Sequence, residues 1–188
     1  PRIALALERA KEAGLRIPVV YNTGSYEKAD TLKRMDGLVD IYLPDMKYVS
    51  PALAQRYSHA PDYFETASLA VAEMVRQVGE PVFDGNTGLM KKGVIVRHLV
   101  LPGCTADSKK VIRYLYQTYG DRIFISIMNQ YTPIGEFPEF PELNRRVSRR
   151  EYDRVVDFAL ELGVENGFIQ EGETAEESFI PEFDGEGL

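Results

Sequence analysis

The chain has 188 residues, 44% apolar and 27% charged, with a net charge of -7. That length serves one domain with a full core, and the negative balance gives a nucleic-acid partner no bulk electrostatic support. No apolar run reaches the ~20 residues of a membrane helix, nothing resembles a signal peptide, and a single cysteine, Cys104, excludes a disulfide framework and a multi-cysteine metal site. Such thiol usage fits a reducing, cytoplasmic setting. The first residue is Pro1 rather than Met, and a helical pattern begins at once, which hints at sequence upstream.

In chain order, "RIALALERAKEAGL" is an amphipathic helix ending at Gly14. "RIPVVYNTGSY" is a β-rich run stopped by Asn22, Thr23 and Gly24. "EKADTLKRM" reads as a helix and "LVDIYLPDMKY" as a second strand. "SPALAQRYS" opens on a Ser-Pro helix start. "DYFETASLAVAEMVRQVG" is a long helix, with Asp62 as N-cap and Gly79 past its end. "EPVFDGNTGLMKKG" is a polar, hairpin-like excursion, and "VIVRHLVLPG" is a third strand. "DSKKVIRYLYQTYG" is a helix capped by Asp107 or Ser108, and "RIFISIMNQYTP" is a fourth strand. "IGEFPEFPEL" is irregular. "SRREYDRVVDFALELG" is a helix whose Ser148 and Glu151 form a capping box. "NGFIQ" fits a short last strand. From Glu171 the tail carries seven acids and no base, an extended arm, so the expected domains are 1–170 and 171–188.

Strands alternating with helices mean parallel βα units. Ligands of such folds sit at the carboxyl ends of the strands. All four strand ends here are polar: "YNTG", "PDMK", "PG" after Arg97 and His98, and "MNQY". Asp45 and Lys47 are two apart, so they leave one side of a strand end together. They form either an exposed ion pair of little value or part of a site. Arg97, mid-strand between Val96 and His98, needs a partner, which a structural salt bridge would supply. His98 shares a face with Val94, Val96 and Val100 and reads as a hydrogen-bonded core imidazole. Asn22 and Thr23 also fit a plain turn. Cys104, beside Gly103 near a helix start, is either an activated thiol or an inert one.

"VVYNTGSYE", "DIYLPDMKY", "YSHAPDYFETASLAVAEMVRQVG", "GVIVRHLVLPG", "SIMNQYTP" and "SFIPEFDGEGL", in this order, resemble the radical SAM proteins related to pyruvate formate-lyase activating enzyme, in particular an activase-like iron-sulfur subgroup. The resemblance implies a (β/α)6 barrel. It also implies a 4Fe-4S cluster on a CxxxCxxC loop, a GGEP-type motif, and reductive cleavage of S-adenosylmethionine to a 5′-deoxyadenosyl radical that abstracts hydrogen. Neither motif is present, and one cysteine cannot hold a thiolate-ligated cluster. The four strand ends match the third to sixth barrel strands. The expected fold is therefore α/β, a partial (β/α) barrel of four parallel strands with right-handed crossovers and helices on the convex face.

By the same resemblance Asp45 and Lys47 contact S-adenosylmethionine. Asn22 and Thr23 border it, Arg97 is an inward basic residue of the next strand, and Gln130 is the polar end of the last. No catalytic or metal-binding residue is assigned. The chain alone is expected to be inactive. Within an intact protein it belongs to an activase acting on a glycyl radical enzyme or to a radical enzyme acting on another peptide or small molecule. The alternative is a catalytically dead binding module. Nucleic acid and membrane are not expected partners. The open sheet edge and face favour a homodimer, the alternative being a monomer covered by its own tail.

Overall fold

The computed structural model describes residues 2–169. The elements are α1 (Arg2–Glu12), β1 (Val20–Thr23), α2 (Ala29–Leu32, continuing as a 3-10 turn Lys33–Met35), β2 (Ile41–Pro44), α3 (Pro51–Ser58) and α4 (Tyr63–Val78). They continue with β3 (Val82–Phe83), β4 (Met90–Leu99), α5 (Thr105–Tyr119), β5 (Phe124–Met128), α6 (Arg149–Leu162) and β6 (Gly167–Ile169). Residues 170–188, where the acidic arm was expected, lie outside the described residues.

The sheet runs β1-β2-β4-β5-β6, every neighbouring pair parallel, with β3 antiparallel against β4. The expected parallel sheet is therefore present. It is extended by "NGFIQ", which pairs as β6, and by the hairpin excursion, which contributes β3. The register places Asn22 beside Leu43, and Arg97 beside both Asp45 and Ser126. Parallel partners share a face, so this alignment sorts the side chains.

One face carries Tyr42, Val94, Val96, Ile125 and Ile127, all buried. They join Ala67, Ala70, Val71 and Met74 of α4, Val111, Ile112 and Leu115 of α5, and Val155 and Ala159 of α6 in one core. Ala67 and Ala70 are the small residues that let α4 lie close to the sheet. Each fully buried aliphatic of this layer contributes about 1.5–3 kcal/mol. The other face carries Asn22, Leu43, Ile95, Arg97, Phe124 and Ser126, none of them buried. The alternation along β4 is regular: Val94, Val96 and His98 go in, while Ile95, Arg97 and Leu99 stay partly open.

Helix starts follow local chemistry. Ser50 accepts from the Leu53 amide and Pro51 is the first residue of α3. Ser148 and Glu151 form the expected reciprocal box at α6. The α5 cap differs from expectation: the N-cap is Cys104, not Asp107 or Ser108. Asp107 spends its carboxylate on the Val49 and Ser50 amides, each 3.0 Å away. Ser108 Oγ donates back to the Cys104 carbonyl at 3.3 Å. Asp62 stands at the N-cap of α4 without making a cap bond. Its Oδ1 accepts instead from the Tyr26 hydroxyl, 2.6 Å away.

Candidate functional site

The carboxyl ends of β1, β2 and β4 meet on the open face. Arg97 is the centre. Its Nε and Nη2 both donate to Asp45 Oδ1, at 2.9 and 2.6 Å, and Nη2 also donates to Asn22 Oδ1 at 2.7 Å. The Asp45 and Arg97 side chains keep 21% and 27% of their exposure, so the pair is half-sheltered rather than dry. Register alone brings them together, since Asp45 and Arg97 are bridged as an extension of β2 on β4. Asp45 and Lys47 do not pair with each other. The Asp45 carboxylate is taken by Arg97, and the Lys47 side chain is exposed with no ion pair to another described residue. Asp45 Oδ2, Arg97 Nη1 and Lys47 Nζ receive or give no bond among the described residues. One acceptor and two cationic donors therefore stand open at the strand ends.

Backbone bonds make this corner stiff. The Asp45 amide donates to the Thr23 carbonyl and the Met46 amide to the Arg97 carbonyl, both at 2.9 Å. The Lys47 amide donates to the Tyr63 hydroxyl at 3.1 Å. The Val49 and Ser50 amides go to Asp107, as above. Met46 and Tyr48 are buried while Asp45 and Lys47 are not, so strand-like alternation persists past the end of β2. Tyr63 belongs to a ring cluster with Tyr26, stacked at 6.0 Å, and Tyr48, edge-on at 5.6 Å. Burial, foremost, pushes the Tyr63 phenol above its ordinary value.

The expected residues divide. Asn22, Asp45 and Arg97 come together. Lys47 stands on the same side, outermost. Thr23 does not join them: its partner in the register is the buried Pro44, and its hydroxyl donates to Glu27. Glu27 also accepts from the Tyr21 hydroxyl at 3.0 Å. Burial, followed by the charge of Glu27, pushes the Tyr21 phenol up to about 12. Gln130 is exposed, with its Nε2 3.6 Å from Met128 Sδ. His98 is a core imidazole, 1% exposed, with Nδ1 2.7 Å from the Met46 carbonyl. Burial pushes the Cys104 thiol up, which makes it the inert kind. Tyr63 and Asp107 were missed. Asp107 carried a signal that was assigned to capping, whereas Tyr63 sits in an apolar helix face with none.

Among the described residues no group of three or more His, Cys, Asp or Glu could hold a metal ion. A cleft of about 320 Å³ lined by Pro81, Phe83, Arg122, Phe124 and Asn166 lies at the opposite, amino-terminal end of the strands. It is remote from the polar cluster. No helix among the described residues is long and apolar enough to cross a membrane.

No family model matches the chain. It is 27% identical over 164 residues to an uncharacterized protein of Methanocaldococcus jannaschii, a match covering 85% of this chain and 43% of that protein. The chain thus spans less than half the length of this relative. It is also similar to a crystal structure of a domain of pyruvate-formate lyase-activating enzyme from Bacteroides vulgatus. The TM-score is 0.62 at 12% identity, over 89% of this chain and 88% of that one. At such identity the likeness is one of fold: a parallel sheet flanked by helices, as in the activating-enzyme domain.

Proposed function

We propose that the open carboxyl-end cluster binds S-adenosylmethionine, and that the chain forms the C-terminal part of a radical SAM enzyme of the pyruvate formate-lyase activating type. The observation that supports this best is the juxtaposition of Asn22, Arg97 and Asp45, with Lys47 exposed two residues past Asp45, on the face that no helix of the described residues covers. The donor set fits the ligand. A methionine carboxylate suits Lys47 Nζ or Arg97 Nη1, and ribose hydroxyls or the ammonium suit Asp45 Oδ2. When bound, the cofactor supplies the bond-breaking chemistry, and these residues supply binding and orientation. Thr23, whose hydroxyl is turned to Glu27, and Gln130, which is exposed beside Met128, stand outside the proposed cluster.

The residues present do not fit a 4Fe-4S cluster. Cys104 is the one cysteine of the sequence, and such clusters take several thiolates. In this proposal the cluster ligands come from outside the stretch, and the chain alone binds without cleaving. The radical acceptor of the intact protein is a glycyl radical enzyme or another peptide or small molecule. The thiol count specifically favours a second reading, a binding module that performs no radical chemistry.

Proton–nitrogen correlation spectra of the chain with millimolar S-adenosylmethionine test the site. Amides of Asn22, Asp45, Lys47 and Arg97 should shift, and Arg97→Ala should weaken the effect by about tenfold, the value of one charge-assisted contact. Shifts confined to other regions, or none, would remove the proposal.

A further inference from the structure

We infer that Tyr63 is the positioning residue of the carboxyl-end cluster, its hydroxyl fixing the turns after β1 and β2 so that Asp45 and Lys47 are presented together. The inference rests on the reading of this face as the ligand site. Tyr63 opens α4 and is 3% exposed, so its ring has one place to go. Its hydroxyl lies 3.0 Å from the Gly24 carbonyl and 3.0 Å from the Asp45 carbonyl, and it accepts the Lys47 amide at 3.1 Å. Gly24 follows β1 directly, and Asp45 and Lys47 follow β2. One phenol oxygen therefore ties a helix start to two separate strand ends.

These three backbone groups lie beyond the regular ladder of the strands. Backbone groups outside a ladder need other partners, and the Tyr63 hydroxyl serves all three, its one proton shared between the two carbonyls and its oxygen accepting the amide. The ring is itself clamped between Tyr26 and Tyr48, so the oxygen has little freedom. Asp107 fixes the same loop two residues further on, through Val49 and Ser50. It touches neither Gly24 nor Asp45, so it sets where the loop goes afterwards and leaves the offset between the two strand ends to Tyr63. Tyr63 touches no reacting group. Its action on a ligand passes through Asp45 and Lys47.

Tyr63→Phe keeps the ring and removes the oxygen. Three readouts apply to the full chain: thermal unfolding, amide hydrogen exchange, and titration with S-adenosylmethionine followed by the shifts of Arg97 and Asn22. The variant should fold, with the Lys47 amide exchanging at least about tenfold faster while amides within β4 are unchanged, and with affinity weakened about tenfold. Tight binding by Tyr63→Phe alongside weakened binding by Arg97→Ala would overturn the positioning role and leave the site reading standing. Absence of binding by the wild type would remove both. In the wild type the Lys47 amide must be protected as strongly as those of β4. Rapid exchange there overturns the inference even where Tyr63→Phe does not fold.

Discussion

Arg97 and His98 are adjacent and have opposite fates. Arg97 leans over the open face to Asp45 and Asn22, and His98 goes under the helices, where its Nε2 is buried without a hydrogen-bond partner among the described residues. Burial lowers the His98 pKa from 6.5. For a base held neutral by the fold, the unfolded chain binds more protons as acid is added. The stability contributed is complete above about pH 6.5 and falls as pH drops below it. Glu73, held down to about 2 by the Arg76 guanidinium, loses its contribution only below its ordinary 4.5. Urea midpoints between these two limits should decline with acid in the wild type and stay flat in His98→Gln. The two faces were legible from alternation alone. The Asp45–Arg97 bond was not, because it spans 52 positions and depends on register, whereas sequence spacing offered Lys47 as the nearer partner. Anaerobic iron and sulfide should leave the chain without a stable iron–sulfur absorption band, since Cys104 is its one thiol. A persistent band would contradict that.

At the level of elements, starts and stops were readable where a side chain caps its own helix. Ser148 with Glu151 is such a case. They failed where a polar residue serves a distant loop. Asp107 looks like a cap and is instead a bracket for the segment after β2. Asp107→Ala should cost about 2–3 kcal/mol in chemical unfolding, because two amides lose a charged acceptor. Ser148→Ala should cost about 1 kcal/mol. Gly93 marks another element-level constraint. Its φ is +147°, and a Cβ there would stand 3.2 Å from Pro81 Cα and 3.3 Å from Met90 Sδ. Pro81, just before β3, crosses β4 at that point, so a side chain on residue 93 would push the hairpin apart by a few tenths of an ångström and strain the backbone. Gly93→Ala should lower the unfolding midpoint by the equivalent of about 1–3 kcal/mol.

For the whole molecule, the features that matter are what the sheet leaves uncovered. Among the described residues β1 is paired on one side only; Ile17 and Val20, and Ile3 and Leu5 of α1, are exposed. On the open face the rings of Phe83, Phe124 and Phe168 make a row with centroids 5.7 and 5.3 Å apart. Edges and apolar faces of this kind invite pairing. We expect a two-fold dimer at micromolar concentration by light scattering, reduced to monomer by Val20→Lys, which puts a charge on the edge. The competing explanation is cover by the chain's own tail. A monomer that stays monomeric after removal of 171–188 would defeat both. The open flank was legible as soon as the strands were ordered, because a parallel series must end somewhere. Its extent on the face was not, because β3 and β6 are short and their exposure depends on packing.

The ring cluster at the strand ends has an optical consequence. The sequence holds 11 tyrosines and no tryptophan, so tyrosine dominates the near-ultraviolet spectrum with no indole to mask it. Tyr26 and Tyr48 each pack on the Tyr63 ring, and the Tyr63 hydroxyl reaches both strand-end turns. Any occupant that shifts those turns must alter the coupling among these rings. The protein thus carries an unlabelled circular-dichroism reporter within hydrogen-bond reach of the face where the ligand would lie.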